Sequence, residues 1–135
     1  MDDALTIIQR AADRGACQMD LVKAAVACLR TVVPLASSSQ HEVSAALKAA
    51  EQWAARPSAL NANNALQAAP NLDGLQGKDI MDVDAYLLLA SGMTALAAAN
   101  ADFTSLTAVF AVEYAQRAAV GRGIDLAPLV TAELL

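Results

Sequence analysis

At 135 residues, with 56% hydrophobic but only 4% aromatic residues, the chain fits one domain with a core of its own. About a quarter of the residues are alanine, the strongest helix former and a poor source of buried area, which argues against a strand-built core and for a single-domain, all-α, alanine-rich bundle of about five to six helices. A net charge of −5 argues against nucleic acid as a ligand, which needs a basic patch, and allows a basic protein partner.

In chain order, the first helix is predicted over about Asp2 to Arg14, with the acids at its positive end, Gly15 at its close, and Leu5, Ile8 and Ala12 inside. The second follows Asp20 as N-cap, buries Leu21, Ala25, Cys28, Leu29 and Val32, and stops near Pro34. Ser37-Ser38-Ser39 is a connector, and Ser39 with Glu42 reads as a capping box for the third helix. That helix lines its inside with Val43, Ala46, Leu47, Ala50 and Ala54, carries Trp53 on its flank as a core or rim residue before an interface anchor, and ends at Arg56-Pro57. Ser58 caps a fourth helix over about Ala59 to Ala69, in which Asn61, Asn63 and Asn64 compete with the backbone for hydrogen bonds. Residues 70–78 form the clearest loop.

The fifth helix is predicted over about Asp79 to Ala99, capped by Asp79 and apolar nearly all round, hence central. The sixth spans about Phe103 to Val120, with Phe103, Leu106, Phe110 and Tyr114 on one face and Glu113 paired to Arg117. A short helix from Ala127 or Pro128 closes the chain and packs Leu126, Leu129, Val130 and Leu134 onto the bundle. The uncharged run from Ala85 to Ala101 is short for a membrane span, which needs about 20 residues, and is broken by Ser91, Gly92, Thr94 and Asn100, so no membrane partner is expected.

Charge is unevenly spread. Up to Lys78 there are seven basic and seven acidic residues; from Asp79 onward there are two basic, Arg117 and Arg122, and seven acidic, so the whole net charge lies in the second part. The acidic start Met1-Asp2-Asp3 does not resemble a basic signal segment. A cytoplasmic chain with free, buried Cys17 and Cys28 is therefore expected.

Few patterns point to chemistry. Gly121-Arg122-Gly123 follows a helix instead of opening one, so it presents carbonyls and reads as a C-cap, not a phosphate cradle. Asp79, Asp82 and Asp84 crowd the start of the fifth helix without EF-hand spacing, and read as a solvated helix end or an acidic partner-facing patch before a metal site. His41 is the only histidine and is read as a surface residue. Tyr86 and Tyr114 read as half-buried. No nucleophile–base pair, metal cage or cofactor motif is legible, so no enzyme, catalytic residue, metal or cofactor is expected.

The succession of Tyr114, Gly121-Arg122-Gly123, an apolar residue and Asp125, preceded by Leu88 to Ala97 as a penultimate helix, resembles the end of the small all-helical immunity protein that protects bacteria from a type VI secreted NAD(P)+ glycohydrolase effector. Ala27-Cys28-Leu29-Arg30, Pro34-Leu35 and Ala46 to Trp53 resemble alanine-rich helical immunity proteins found beside bacterial polymorphic toxins. The resemblance implies a chain that binds a cognate toxin or effector domain in the cytoplasm and occludes its active site. By charge and residue type, not by any family motif, the expected partner-binding residues are Asp79, Asp82, Asp84 and Asp102, then Glu51 and Trp53; reversing the charges of Asp82 and Asp84 should weaken binding with little loss of stability. Two other readings stay open: a helical scaffold that homodimerises through an alanine-rich face, and a small ligand-binding bundle using Tyr86, Tyr114 and the aspartates.

Overall fold

The computed structural model describes residues 2–72 and 82–134. Among these, seven α-helices and no strand are found: α1 (Ala4–Asp13), α2 (Gln18–Val32), α3 (Gln40–Ala55), α4 (Ala59–Ala68), α5 (Val83–Ala99), α6 (Thr104–Ala119) and α7 (Ala127–Leu134). The all-α bundle is as expected; the helix count exceeds five to six because the closing segment forms a two-turn helix of its own. One core joins both parts of the chain. It takes Leu29, Val32, Val43 and Leu47 from the neutral part and Leu87, Ala90, Val112 and Val130 from the acidic part.

Local chemistry sets most helix ends. Asp3 caps α1, its carboxylate accepting from the Thr6 amide at 2.8 Å, and Gly15 follows at φ +82°. Ser58 caps α4 by accepting from the Asn61 amide at 3.0 Å. The Asn61 side chain then donates to the Arg56 carbonyl at 2.8 Å, so it covers the open C-terminal end of α3 instead of breaking α4. Gly121 and Gly123 are both left-handed, at φ +77° and +71°, which bears out the C-cap reading of that motif.

Three predicted ends are corrected. α2 begins at Gln18 with Cys17 as N-cap, not after Asp20, which falls in the first turn. The Gln18 side chain donates to the Ala97 carbonyl at 3.0 Å, and this tie to the end of α5 holds the early turn in place. Asp82, not Asp79, caps α5, accepting from the Ala85 amide at 2.8 Å. Asp79 itself, with most of the 70–78 loop, lies outside the described residues. Ser39 makes no cap bond to α3, so the capping box with Glu42 does not form; its hydroxyl is taken by Asp84.

α5 is central, as its all-round apolar sequence predicts. Leu87, Leu89, Ala90, Ala95, Ala97 and Ala98 are all buried, and α2, α3, α4 and α6 surround the helix. Its buried hydroxyls bond backward along the chain, Ser91 to the Leu88 carbonyl and Thr94 to the Ala90 carbonyl. Gly92 makes room for Leu72: a Cβ there would lie 2.9 Å from a Leu72 methyl. Such packing leaves no space at Ala90, which is fully buried. Ala90→Val is expected to overpack the site and cost about 1–3 kcal/mol, read as a lower melting temperature; an unchanged one would show slack around α5.

Trp53 is 6% exposed and belongs to the core, not to the flank of α3. Cys28 is buried, and burial pushes its thiol up to about 12, but Cys17 is exposed, against expectation. No helix among the described residues is long and apolar enough to cross a membrane.

Candidate protein-binding surface

α6 has two apolar faces, and the smaller side chains take the inside. Ala108, Ala111, Ala115, Ala118 and Ala119 are buried with Thr104 and Val112. Small residues let α6 lie close against α5 and α2. The opposite face, at spacings of three and four, carries Phe103, Leu106, Phe110, Tyr114, Arg117 and Val120. Phe103 is 58% exposed, Leu106 55% and Val120 68%.

Neighbouring helices widen this outer face. On one side Tyr86 of α5 stacks on Tyr114 with ring centres 6.5 Å apart, and Phe110 continues the stack at 6.4 Å. The Arg117 guanidinium lies 5.9 Å over the Tyr114 ring and bonds to Glu113 at 3.0 Å. On the other side Gln9, Ala12 and Asp13 of α1 meet Ser105, Leu106 and Val109 in a shallow groove. Gln116 fixes α1 from α6, its carbonyl accepting from the Leu5 amide at 3.3 Å and its amide donating to Asp3 at 3.3 Å.

Of the predicted partner-binding residues, the five that are described (Asp82, Asp84, Asp102, Glu51 and Trp53) do not form one cluster. Asp102 stands exposed beside Phe103 at one end of the stripe. Asp82 stands at the other, in a concavity shared with Val83, Tyr86, Arg117, Val120 and Arg122. Asp84 is half-buried and engaged by the chain itself: its carboxylate accepts from the hydroxyls of Ser39 at 2.6 Å, Ser37 at 2.7 Å and Ser38 at 3.2 Å, and from the amides of Ser37 at 2.9 Å and Ser39 at 3.3 Å. The Ser39 and Ser37 hydroxyls, then the Ser37 amide, hold its carboxyl far below the usual carboxylate range. Glu51 is ion-paired to Arg30 on the α2–α3 surface, and Trp53 sits in the core beneath α3.

Sequence reasoning did not single out Leu106 and Val120 as surface residues. A signal existed: α6 has an alanine stripe and a large-residue stripe, and only one can face a tightly packed neighbour. His41 is exposed, and Tyr86 and Tyr114 are half-buried, as expected. Among the described residues no group of three potential metal ligands comes together. A cavity of about 260 Å³ at the end of α1, lined by Ile7, Arg10, Arg14 and Leu134 among others, falls just below the roughly 300–1,000 Å³ of small-molecule sites; the concavity at Asp82 and Arg122 reaches about 630 Å³ and the one between Arg30 and Glu51 about 580 Å³, both wide open to solvent. The arrangement suits contact with another macromolecule: half-buried rings at the middle, exposed apolar residues toward both ends, and charges of both signs at the rim. Comparisons with known protein families, with curated proteins and with solved structures find no match for this chain.

Proposed function

We propose that this chain is an immunity protein that binds a cognate secreted toxin domain in the cytoplasm and blocks its active site, with the outer face of α6 as its contact surface. The observation that carries the reading is the exposure of Leu106 on α6 and of Phe103 and Val120 at its two ends, with the half-buried Phe110 and Tyr114 rings between them. Contiguous apolar surface of this kind, rimmed by polar groups, is typical of surfaces that a partner covers. Asp13, Asp82 and Asp102 around it would steer encounter with a basic cleft. The resemblance of the C-terminal segment to bacterial immunity proteins supplies the class of partner. The alanine-rich faces are spent inside the bundle, which disfavours the scaffold reading that relied on one of them.

The test is capture of the tagged chain from its native host, followed by neutralisation. A single toxin domain at equal stoichiometry, whose toxicity the chain suppresses, is the expected result. Leu106→Glu should then weaken binding at least tenfold, as loss of a central anchor worth more than about 1.4 kcal/mol does. Its folding stability should stay within about 0.5 kcal/mol of the parent, since Leu106 is a surface position. If no captured protein is inhibited by the chain, the immunity reading fails; if Leu106→Glu neutralises as well as the parent, the contact surface lies elsewhere.

A further inference from the structure

We infer that, free of any other partner, two copies of this chain cover each other's α6 face in an antiparallel, two-fold pairing. In such an interface each residue meets a counterpart across the axis and the relation is reciprocal. The axis would fall at the middle of the stripe, on the Phe110 and Tyr114 rings. Phe103 of one copy then meets Val120 of the other, and Leu106 meets the region of Arg117.

Charge decides the direction. One end of the stripe carries Asp102 and, from α1, Asp13; no cation adjoins them in the α1–α6 groove. The other end carries Arg117, which Glu113 neutralises, and Arg122, which forms no ion pair among the described residues. Asp82 shares that second end and keeps its charge, but it is held as the cap of α5 by the Ala85 amide, so Arg122 is the group with a charge to place across an interface. Antiparallel pairing sets Asp102 beside Arg122 twice. Parallel pairing would set Asp102 against Asp102. Opposed helix dipoles favour the same choice.

The area is adequate. Sixteen residues of α6, with α1 on one side and only Val83 and Tyr86 of α5 on the other, present a patch of about 500 Å² per copy from helix rise and interhelical spacing, the low end for specific pairing and in keeping with association at high micromolar concentration. A partner docking on α6 would have to displace the second copy, so self-association would compete with it. The pairing does not rest on the toxin reading and is tested without any toxin.

The experiment is sedimentation equilibrium of the purified full chain from low-micromolar to sub-millimolar concentration. The mass is expected to climb from 13.9 kDa toward twice that value. Leu106→Arg, which would face the Arg117 region of the other copy, should remain at 13.9 kDa throughout, with circular dichroism reporting an intact helical fold. Asp102→Arg and Arg122→Asp should each weaken dimerisation about fivefold, and the double variant should recover it, because the swap restores the opposite-charge contact. A chain that stays monomeric at every concentration, or a dimer that survives Leu106→Arg, overturns the proposal. Single variants that weaken the dimer without recovery in the double variant overturn the antiparallel register. None of these outcomes touches the neutralisation test, which reads inhibition of the toxin itself.

Discussion

Trp53→Ala is expected to cost about 3–5 kcal/mol of folding stability, the range for removing a large buried aromatic. A domain of this size holds only about 5–15 kcal/mol in total, so the variant should lose a large share of its margin and melt well below the parent. Trp53 is 6% exposed and continues the buried stripe of Val43, Ala46, Leu47 and Ala50 along α3. Alanine-rich neighbours cannot collapse far into the space it leaves, because their side chains have no reach. Urea unfolding followed by circular dichroism measures the loss. The parent offers a second reading, since Trp53 is its only tryptophan: its emission should be blue-shifted when folded and move red on unfolding. Trp53→Phe should recover part of the stability. An interface anchor would behave otherwise: the alanine variant would unfold near the parent's midpoint and lose only partner binding.

The contrast between Trp53 and Leu106 marks where the sequence stops being informative. Helix positions were legible because their signals are local: Asp3 three residues before Thr6, Ser58 three before Asn61, glycines at positions 15 and 121. The centrality of α5 was legible because no polar face competes on it. The inward face of α6 was not, since both of its faces are apolar and the choice depends on how closely its neighbours approach. The start of α2 was missed because Gln18 finds its partners, Ala97 and Ala98, on a distant helix. Of the expected contact residues, Asp82 and Asp102 do lie at the ends of the α6 stripe. Asp84 was legible as a carboxylate, but nothing within a window of neighbouring residues points to three serines 45 to 47 positions earlier.

Asp84→Ala should therefore lower stability by about 2–3 kcal/mol, the cost of removing a charged acceptor whose donors are left behind, in place of the small effect its acidic sequence context suggests. Ser39 bears most of that cost. It is buried, and its hydroxyl and amide both lose their acceptor. Ser37 and Ser38 are exposed, so water replaces the carboxylate for them. Asp84→Asn keeps the shape but loses the charge, and should fall between the two. The pH dependence separates this tie from ordinary packing. Hydrogen bonds to the charged form depress the folded-state value below the ordinary 3.8, so the stabilisation is fully present above about pH 4 and fades as the pH falls from there. Between about pH 4 and pH 2 the parent should lose stability more steeply than Asp84→Asn, the difference being the Asp84 contribution alone, since Asp3 is depressed in both. Parallel stability curves across that range would mean that the serines do not hold the carboxylate in solution. A partner contact at Asp84 would then regain its place, because a carboxylate that the fold does not engage is free to meet a basic surface.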